Sequence, residues 1–118
     1  MANASHHGSC HCGAVSFTTE VDLEQPAISC NCSLCGRTGA LLMFVPPEKF
    51  TLEKGEDAMT VYHFNKNVID HLFCKTCGVR PFARGKGPKG PMVAINVRCL
   101  DEVDVFKQAR NEYDGKSK

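Results

Sequence analysis

Seven of the eight cysteines in this chain of 118 residues fall into three tight clusters. The clusters have the patterns C-x-C, C-x-C-x2-C and C-x2-C, and they consist of Cys10, Cys12, Cys30, Cys32, Cys35, Cys74 and Cys77. A disulfide across C-x-C would close a strained ring, whereas two thiolates at that spacing can bind one ion with bonds of about 2.3 Å. The spacing therefore favours zinc over disulfides.

The first and last clusters together supply four thiolates, which we call the four-cysteine group: Cys10, Cys12, Cys74 and Cys77. Four protein ligands complete a tetrahedral site, and a closed site of this kind is structural. Gly78 follows the last ligand directly, where a glycine lets the chain turn back so that amides can point at the sulfurs. We expect this zinc to staple the first strand to a later hairpin.

The middle cluster, which we call the three-cysteine group, consists of Cys30, Cys32 and Cys35 and is one ligand short of a closed site. The remaining cysteine, Cys99, could complete it, and both zincs would then be structural. Alternatively, water fills the fourth place and a substrate can displace it, as in catalytic zinc sites. The residues alone leave both interpretations open.

The elements that must position these cysteines are short strands separated by turn residues. Alternating or continuous apolar patterns predict strands over 14–21, 40–46, 49–57, 60–64, 68–73 and 91–100. Residues 65–67 are a plausible hairpin turn, and helical patterns over 33–39 and 100–113 are weak. We expect one mostly antiparallel β domain across residues 1–118, with an ordered core from about 8 to 115 and frayed ends that include His6 and His7.

The composition argues against several partners. The formal net charge is +1, so a nucleic-acid surface is not expected, and the basic run at 80–90 is expected to be a solvated Gly/Pro loop. No secretory leader and no apolar stretch approaching about 18 residues is visible, so we expect no membrane partner. We expect a cytoplasmic location, where cysteines stay reduced.

Three motifs together resemble a known family: GSCHCGAV, CNCSLCGRTGAL and HLFCKTCGVRPF. Their order and spacing are similar to those of the glutathione-dependent formaldehyde-activating enzymes, and residues 60–102 are also similar to the centromere protein V branch. The resemblance implies a zinc-stapled β-tent with two zincs, a structural one in the four-cysteine group and an exchangeable one in the three-cysteine group. It implies a carbon–sulfur lyase that forms S-hydroxymethylglutathione from glutathione and formaldehyde.

In that interpretation Cys30, Cys32 and Cys35 are the catalytic residues, because their zinc would hold the substrate thiolate. Arg37 and Thr38 follow directly and are candidates for binding the thiol substrate; Arg37 could meet a carboxylate, or could simply be a solvated turn residue. Two histidines, His63 and His71, could donate a proton, although the strand pattern favours core histidines.

A non-catalytic protein is the alternative. It would bind a thiol or a protein partner on a zinc scaffold whose second site is closed by Cys99. The sequence specifies neither the aldehyde nor the thiol, and short edge strands are compatible with a monomer or a homodimer.

Overall fold

In the computed structural model, which describes residues 4–63, 69–87 and 90–117, ten strands form two sheets. The strands are β1 (Ala4–Ser9), β2 (Ser16–Val21), β3 (Ala27–Cys30), β4 (Leu41–Val45), β5 (Phe50–Lys54), β6 (Met59–Tyr62), β7 (Asp70–Cys74), β8 (Phe82–Gly87), β9 (Gly90–Asn96) and β10 (Arg110–Tyr113). One helical turn, α1 (Cys35–Thr38), lies between β3 and β4. Short 3-10 turns occupy Pro47–Lys49, Glu56–Ala58, Val97–Cys99 and Gly115–Ser117.

The smaller sheet has the order β1-β2-β5, and the larger has the order β10-β3-β4-β9-β8-β7-β6. All pairings are antiparallel except that of β10 with β3, which is parallel. The expected mostly β class is confirmed, and the larger sheet is mixed rather than wholly antiparallel. The parallel pair escapes sequence analysis because its two strands lie far apart in the sequence, with Arg110 paired to Ala27, and because β10 has no apolar side, all four of its residues being exposed.

The core lies between the sheets. Its largest fully buried side chains are Phe17 from the smaller sheet and Phe82, Leu41 and Ile95 from the larger one. Phe50 joins Phe17 and Phe82 in an aromatic cluster with ring centroids 4.6 to 6.1 Å apart. Tilted and edge-on rings at these distances add to the stabilisation by apolar burial, so this cluster fixes how the two sheets face each other.

Most predicted strands are confirmed, with different ends. Residues 91–100 do not form one strand: β9 stops at Asn96, whose side chain accepts a hydrogen bond from the Arg98 amide and caps a 3-10 turn ending at Cys99. The strand predicted at 68–73 begins at Asp70 among the described residues, and the turn predicted at 65–67 lies outside them. Residues 100–113 form no helix. The amides of Lys107 and Gln108 donate hydrogen bonds to the Asp104 carbonyl in a turn that leads into β10.

Two segments that we expected to be irregular are strands. The solvated-loop prediction is wrong for residues 82–87, which form β8 between β7 and β9; Lys89 lies outside the described residues. At the other end, β1 begins at Ala4, upstream of residue 8, and pairs with β2 over its whole length. His6 and His7 are thus strand residues, with Nδ1 atoms 2.6 Å from Glu102 and 2.7 Å from Asp101.

Candidate functional site

The four-cysteine group is assembled where the two sheets meet. Cys10 and Cys12 lie in the turn after β1, while Cys74 ends β7 and Cys77 lies in the turn that follows. All four sulfurs lie within 4.8 Å of one another. The sulfur of Cys12 is 3.7 Å from that of Cys10 and 3.6 Å from that of Cys74. The group therefore ties the smaller sheet to the larger one.

Backbone amides surround these sulfurs, as expected of metal knuckles. The amide of Val15 points at the Cys10 sulfur over 3.4 Å, and the amides of Thr76 and Cys77 point at the Cys74 sulfur over 3.4 and 3.5 Å. The amide of Cys77 is the main cause that lowers the pKa of the Cys74 thiol. Gly78 has φ +80°, a backbone conformation that glycine adopts readily, and its N–H bonds the Cys74 carbonyl. The expected role of this glycine is confirmed.

The three-cysteine group is built on one short segment. Cys30 ends β3, Cys32 lies in the following turn and Cys35 begins α1, and their sulfurs all lie within 4.8 Å of one another. The amide of Cys35 points at the Cys32 sulfur over 3.3 Å and that of Cys32 at the Cys30 sulfur over 3.4 Å. Amides directed at sulfurs favour the thiolate form, which is the form that binds metals.

Arg80 is a residue of this site that sequence analysis missed. Its side chain is buried, and one guanidinium nitrogen donates to the Cys35 sulfur over 3.7 Å. The other donates to His71 Nδ1 over 2.8 Å. Burial raises the pKa of the Cys35 thiol to about 11, with Arg80 acting in the opposite direction. Arg80 follows the Cys74–Cys77 knuckle closely in sequence, which was a signal of a role near a metal site. The sequence did not show that this site is the three-cysteine group, because Cys35 is 45 positions away.

Cys99 is not the fourth member of the three-cysteine group. It belongs to neither of the sulfur groups found in the described part of the chain. Burial raises the pKa of its thiol to about 12, and the next contributions come from Cys10 and Cys77, which places it beside the four-cysteine group. The hypothesis of closure by Cys99 is therefore not supported by this geometry.

A cleft of about 590 Å³ is lined by neighbours of both groups: His11 and Gly78 adjoin the four-cysteine ligands in sequence, and Arg80 contacts Cys35, although none of the grouped cysteines lines the cleft itself. Polar and apolar residues together form its walls: Ser9, His11, Thr38, Phe73, Gly78, Val79, Arg80, Asn96, Arg98, Cys99, Leu100 and Asp101. Arg98 is anchored at the rim because its Nε donates to the Gly39 carbonyl over 2.8 Å. The guanidinium of Arg80 is directed at Cys35 and His71, and Asp101 adds an acidic side chain to the lining, so Arg98 is the arginine placed to meet an anionic group of a ligand in this cleft.

The two residues that we expected to contact substrate lie in different places. Thr38 lines the cleft, and its Oγ1 accepts a hydrogen bond from the Ala40 amide. Arg37 does not line it: the guanidinium donates to the Ser33 carbonyl over 2.8 Å on the exposed side of α1. Arg98 stands in the cleft where the sequence suggested Arg37.

The two histidines also separate. His71 is buried on β7, which confirms the expected core histidine. A guanidinium can only donate, so His71 Nδ1 must be unprotonated and acts as the acceptor. His63 is instead 44% exposed, with Nε2 2.6 Å from Asp70, so the prediction of a core residue is wrong there.

The C-terminal segment covers the three-cysteine group. After β10, the Asn31 side chain donates to Asp114, and the Asn31 amide donates to the Tyr113 carbonyl. At Gly115 the chain passes so close that an added Cβ would lie 2.6 Å from the Cys30 sulfur. The end of the chain therefore forms one wall of this group.

Comparison with known proteins identifies the family of this chain. Residues 5–115 match the family described as glutathione-dependent formaldehyde-activating enzyme. The chain belongs to this family. A crystal structure of a Rhodobacter sphaeroides protein is similar, with a TM-score of 0.79 and 28% identity over 90% of this chain and 97% of that one.

The resemblance to the formaldehyde-activating enzymes is thereby confirmed, while the similarity to the centromere protein V branch stays a prediction. The sulfur spacing indicates whether zinc fits the cysteine groups. Zinc bound by thiolates at about 2.3 Å in a tetrahedron places the sulfurs about 3.8 Å apart. In the four-cysteine group the Cys12 sulfur lies 3.7 Å from that of Cys10 and 3.6 Å from that of Cys74, and these distances fit this spacing. In the described residues no helix is long and apolar enough to cross a membrane.

His71 should give this member of the formaldehyde-activating family an acid-dependent stability. Burial first, and Arg80 second, lower the pKa of His71 from 6.5 to about 4. The unfolded chain then binds more protons between these values, so stability present above pH 6.5 falls as the pH drops towards 4. We expect this residue to account for about 2 kcal/mol of that loss.

Urea unfolding of wild type and His71→Asn at a series of pH values measures this contribution. Asparagine keeps an acceptor for Arg80 but does not titrate. Acid also affects the cysteine groups, and this common effect cancels in the difference between the two proteins. Parallel pH curves for the two proteins would show that His71 titrates normally.

Gly115→Ala should weaken metal binding at the three-cysteine group by about tenfold, because the new Cβ would press on the Cys30 sulfur. Competition with a chromophoric chelator measures the affinity. Gly36→Ala is the matched control, since its Cβ would meet only the Asn31 backbone at ordinary contact distance, 3.5 Å. Equal affinities for the two variants would mean that the C-terminal segment does not constrain Cys30.

Proposed function

We propose that this protein promotes formation of S-hydroxymethylglutathione from glutathione and formaldehyde, as a zinc-dependent carbon–sulfur lyase acting in reverse. The observation that carries the proposal is the three-cysteine group: three sulfurs within 4.8 Å, no fourth protein sulfur among the described residues, and a cleft alongside. Membership of the formaldehyde-activating family supplies the substrate class. A cytoplasmic location and a zinc-stapled β-tent are part of the same proposal.

The four-cysteine group would hold a structural zinc, and the three-cysteine group would hold an exchangeable one. When bound in the three-cysteine group, zinc supplies a Lewis acid that favours the thiolate form of a substrate thiol. The chain itself fixes the three ligand sulfurs through the amides of Cys32 and Cys35 and confines them beneath Gly115. In this proposal Cys30, Cys32 and Cys35 are the catalytic residues.

The cleft would hold the body of the thiol substrate. Glutathione carries carboxylates, and Arg98 at the rim can meet one of them while Thr38 contacts the chain of the peptide. Arg37 lies on the outer side of α1, and its predicted role, binding a substrate carboxylate, stays a prediction. The positioned sulfur then lies beside the small aldehyde, so that proximity supplies much of the rate enhancement.

The reaction balances without a redox partner. The sulfur forms a bond to the aldehyde carbon, the thiol loses its proton, and the carbonyl oxygen becomes a hydroxyl by gaining one. Within the protein, His71 Nδ1 cannot supply that proton because it already accepts from Arg80. The proton can return from solvent through the open cleft.

Exchange NMR of a glutathione–formaldehyde mixture tests the proposal, since the uncatalysed interconversion is its own baseline. Zinc-loaded wild type should accelerate the exchange, Cys35→Ala should lose the acceleration, and Cys99→Ala should retain it. An unchanged exchange rate at high wild-type concentration would rule out formaldehyde activation. Thiol binding without acceleration would support the alternative, a non-catalytic thiol-binding module.

A further inference from the structure

Arg80 is a buried cation that links the two cysteine groups. Its side chain retains 5% of its exposure. The backbone before it is fixed by the knuckle, because the Cys74 amide bonds the Val79 carbonyl over 3.0 Å. Its own carbonyl accepts from the Asn96 side chain, also over 3.0 Å. Since the backbone is held on both sides, the direction of the guanidinium is determined by the fold.

A buried guanidinium requires a negative partner, because it stays protonated and its desolvation is costly. Among the described residues Arg80 forms no ion pair with a carboxylate. One of its two side-chain partners, the imidazole of His71, acts as a neutral acceptor. The other is the sulfur of Cys35. The balancing charge must therefore come from the three-cysteine group.

Charge counting shows what this contact does. Three thiolates and one divalent zinc carry a net charge of about −1, and Arg80 brings the whole to about zero. A thiolate that adds as a fourth ligand then leaves about −1 rather than −2 in a largely buried site. A neutral fourth ligand leaves the net charge of the site unchanged, whether or not Arg80 is present. The charge of the arginine therefore does not increase the affinity for a neutral ligand.

We propose that Arg80 is a positioning residue that makes the three-cysteine group selective for an anionic fourth ligand, a thiolate, over neutral ligands. This inference rests on the proposed function, in which a substrate thiolate takes the fourth place. Arg80 acts through Cys35, whose sulfur it contacts, and it fixes the orientation of that ligand as well as its charge. Arg80 follows the Cys74–Cys77 knuckle of the four-cysteine group. Its position therefore does not depend on the three-cysteine group, whose charge it balances.

Cobalt-substituted protein provides a readout that does not depend on turnover. Visible absorption follows fourth-ligand binding, with glutathione as the thiol probe and imidazole as the neutral probe. Arg80→Met should bind glutathione about 10- to 100-fold more weakly than wild type and imidazole within about threefold. Arg80→Lys, which keeps the charge, should recover most of the glutathione affinity.

Two further variants make the test specific. Arg84→Met removes the same charge from a half-buried arginine that is paired with Glu56 and does not line the cleft, and it should bind both probes as wild type does. Arg80→Gln is neutral but can still donate to His71, so it replaces the methionine variant if that variant does not fold, with the same expected loss.

The outcomes separate the two proposals. If wild type binds glutathione and Arg80→Gln binds it equally well, the inference is wrong while the proposed function stands. An equal loss of imidazole and glutathione would also overturn it, because the arginine would then only support the fold. If wild-type absorption does not respond to glutathione, the proposed thiolate site itself fails.

Discussion

Cys74→Ser is expected to abolish cooperative folding. The four-cysteine group joins the turn after β1 to the end of β7, so a metal bound there would connect the two sheets. Metal binding at structural zinc sites contributes on the order of 10 kcal/mol to folding, which equals or exceeds the whole stability of a typical small domain. The Cys74 sulfur is buried and accepts from two amides, so a serine there would also leave those donors with a poorer acceptor.

Circular dichroism and the dispersion of the amide proton spectrum measure this effect, together with zinc content after dialysis. Cys99→Ala is the matched control, because Cys99 is half-buried nearby but belongs to neither sulfur group in the described residues. That variant should keep two zincs and lose no more than about 1 kcal/mol of stability. A cooperatively folded Cys74→Ser would show that the fold does not depend on this metal.

Cys32→Ser is expected to have the opposite phenotype: a folded protein that has lost its activity. Cys35 forms a small buried cluster with Ala40 and Leu42, and Cys30 and Cys32 pack against it, apart from the main core between the sheets. Its metal therefore contributes little to the sheet packing. We expect zinc content to fall from two to one per chain, and the acceleration of glutathione–formaldehyde exchange to fall by at least about 100-fold.

Zinc analysis, thermal unfolding and exchange NMR on the same preparation check the three parts of this prediction. The unfolding midpoint should fall by only a few degrees, which distinguishes lost chemistry from lost structure. Ser33→Ala, a change at the neighbouring position that is not a ligand, is the control and should keep both zincs. If Cys32→Ser unfolds like Cys74→Ser, the two metals are both structural, and the assignment of an exchangeable site is wrong.

Local patterns in the sequence were sufficient for much of the fold. The alternation around Phe17 and the apolar run through Leu42 predicted strands because each buries one face or both faces in a sheet. Strands without such a pattern were missed. In β1 the residues are mostly small or polar, β8 contains Gly85 and three basic or glycine neighbours, and β10 is wholly exposed. Their pairing depends on neighbours far along the chain, which a local window does not contain.

The sequence by itself determined which cysteines come together. Cysteines two or three positions apart are held close together by the chain itself. Both the four-cysteine and the three-cysteine group could therefore be derived from spacing and counting. The family followed from the same spacing and is confirmed over residues 5–115.

Only the tertiary structure decided what surrounds these sulfurs. It placed Arg80 on Cys35 across 45 positions, Cys99 beside the four-cysteine group, and Gly115 over Cys30. These contacts join segments that are far apart in the sequence, and no local pattern in either segment predicts them. The proposed catalytic properties of the three-cysteine group depend on them, because charge compensation and burial are set by neighbours in space rather than in sequence.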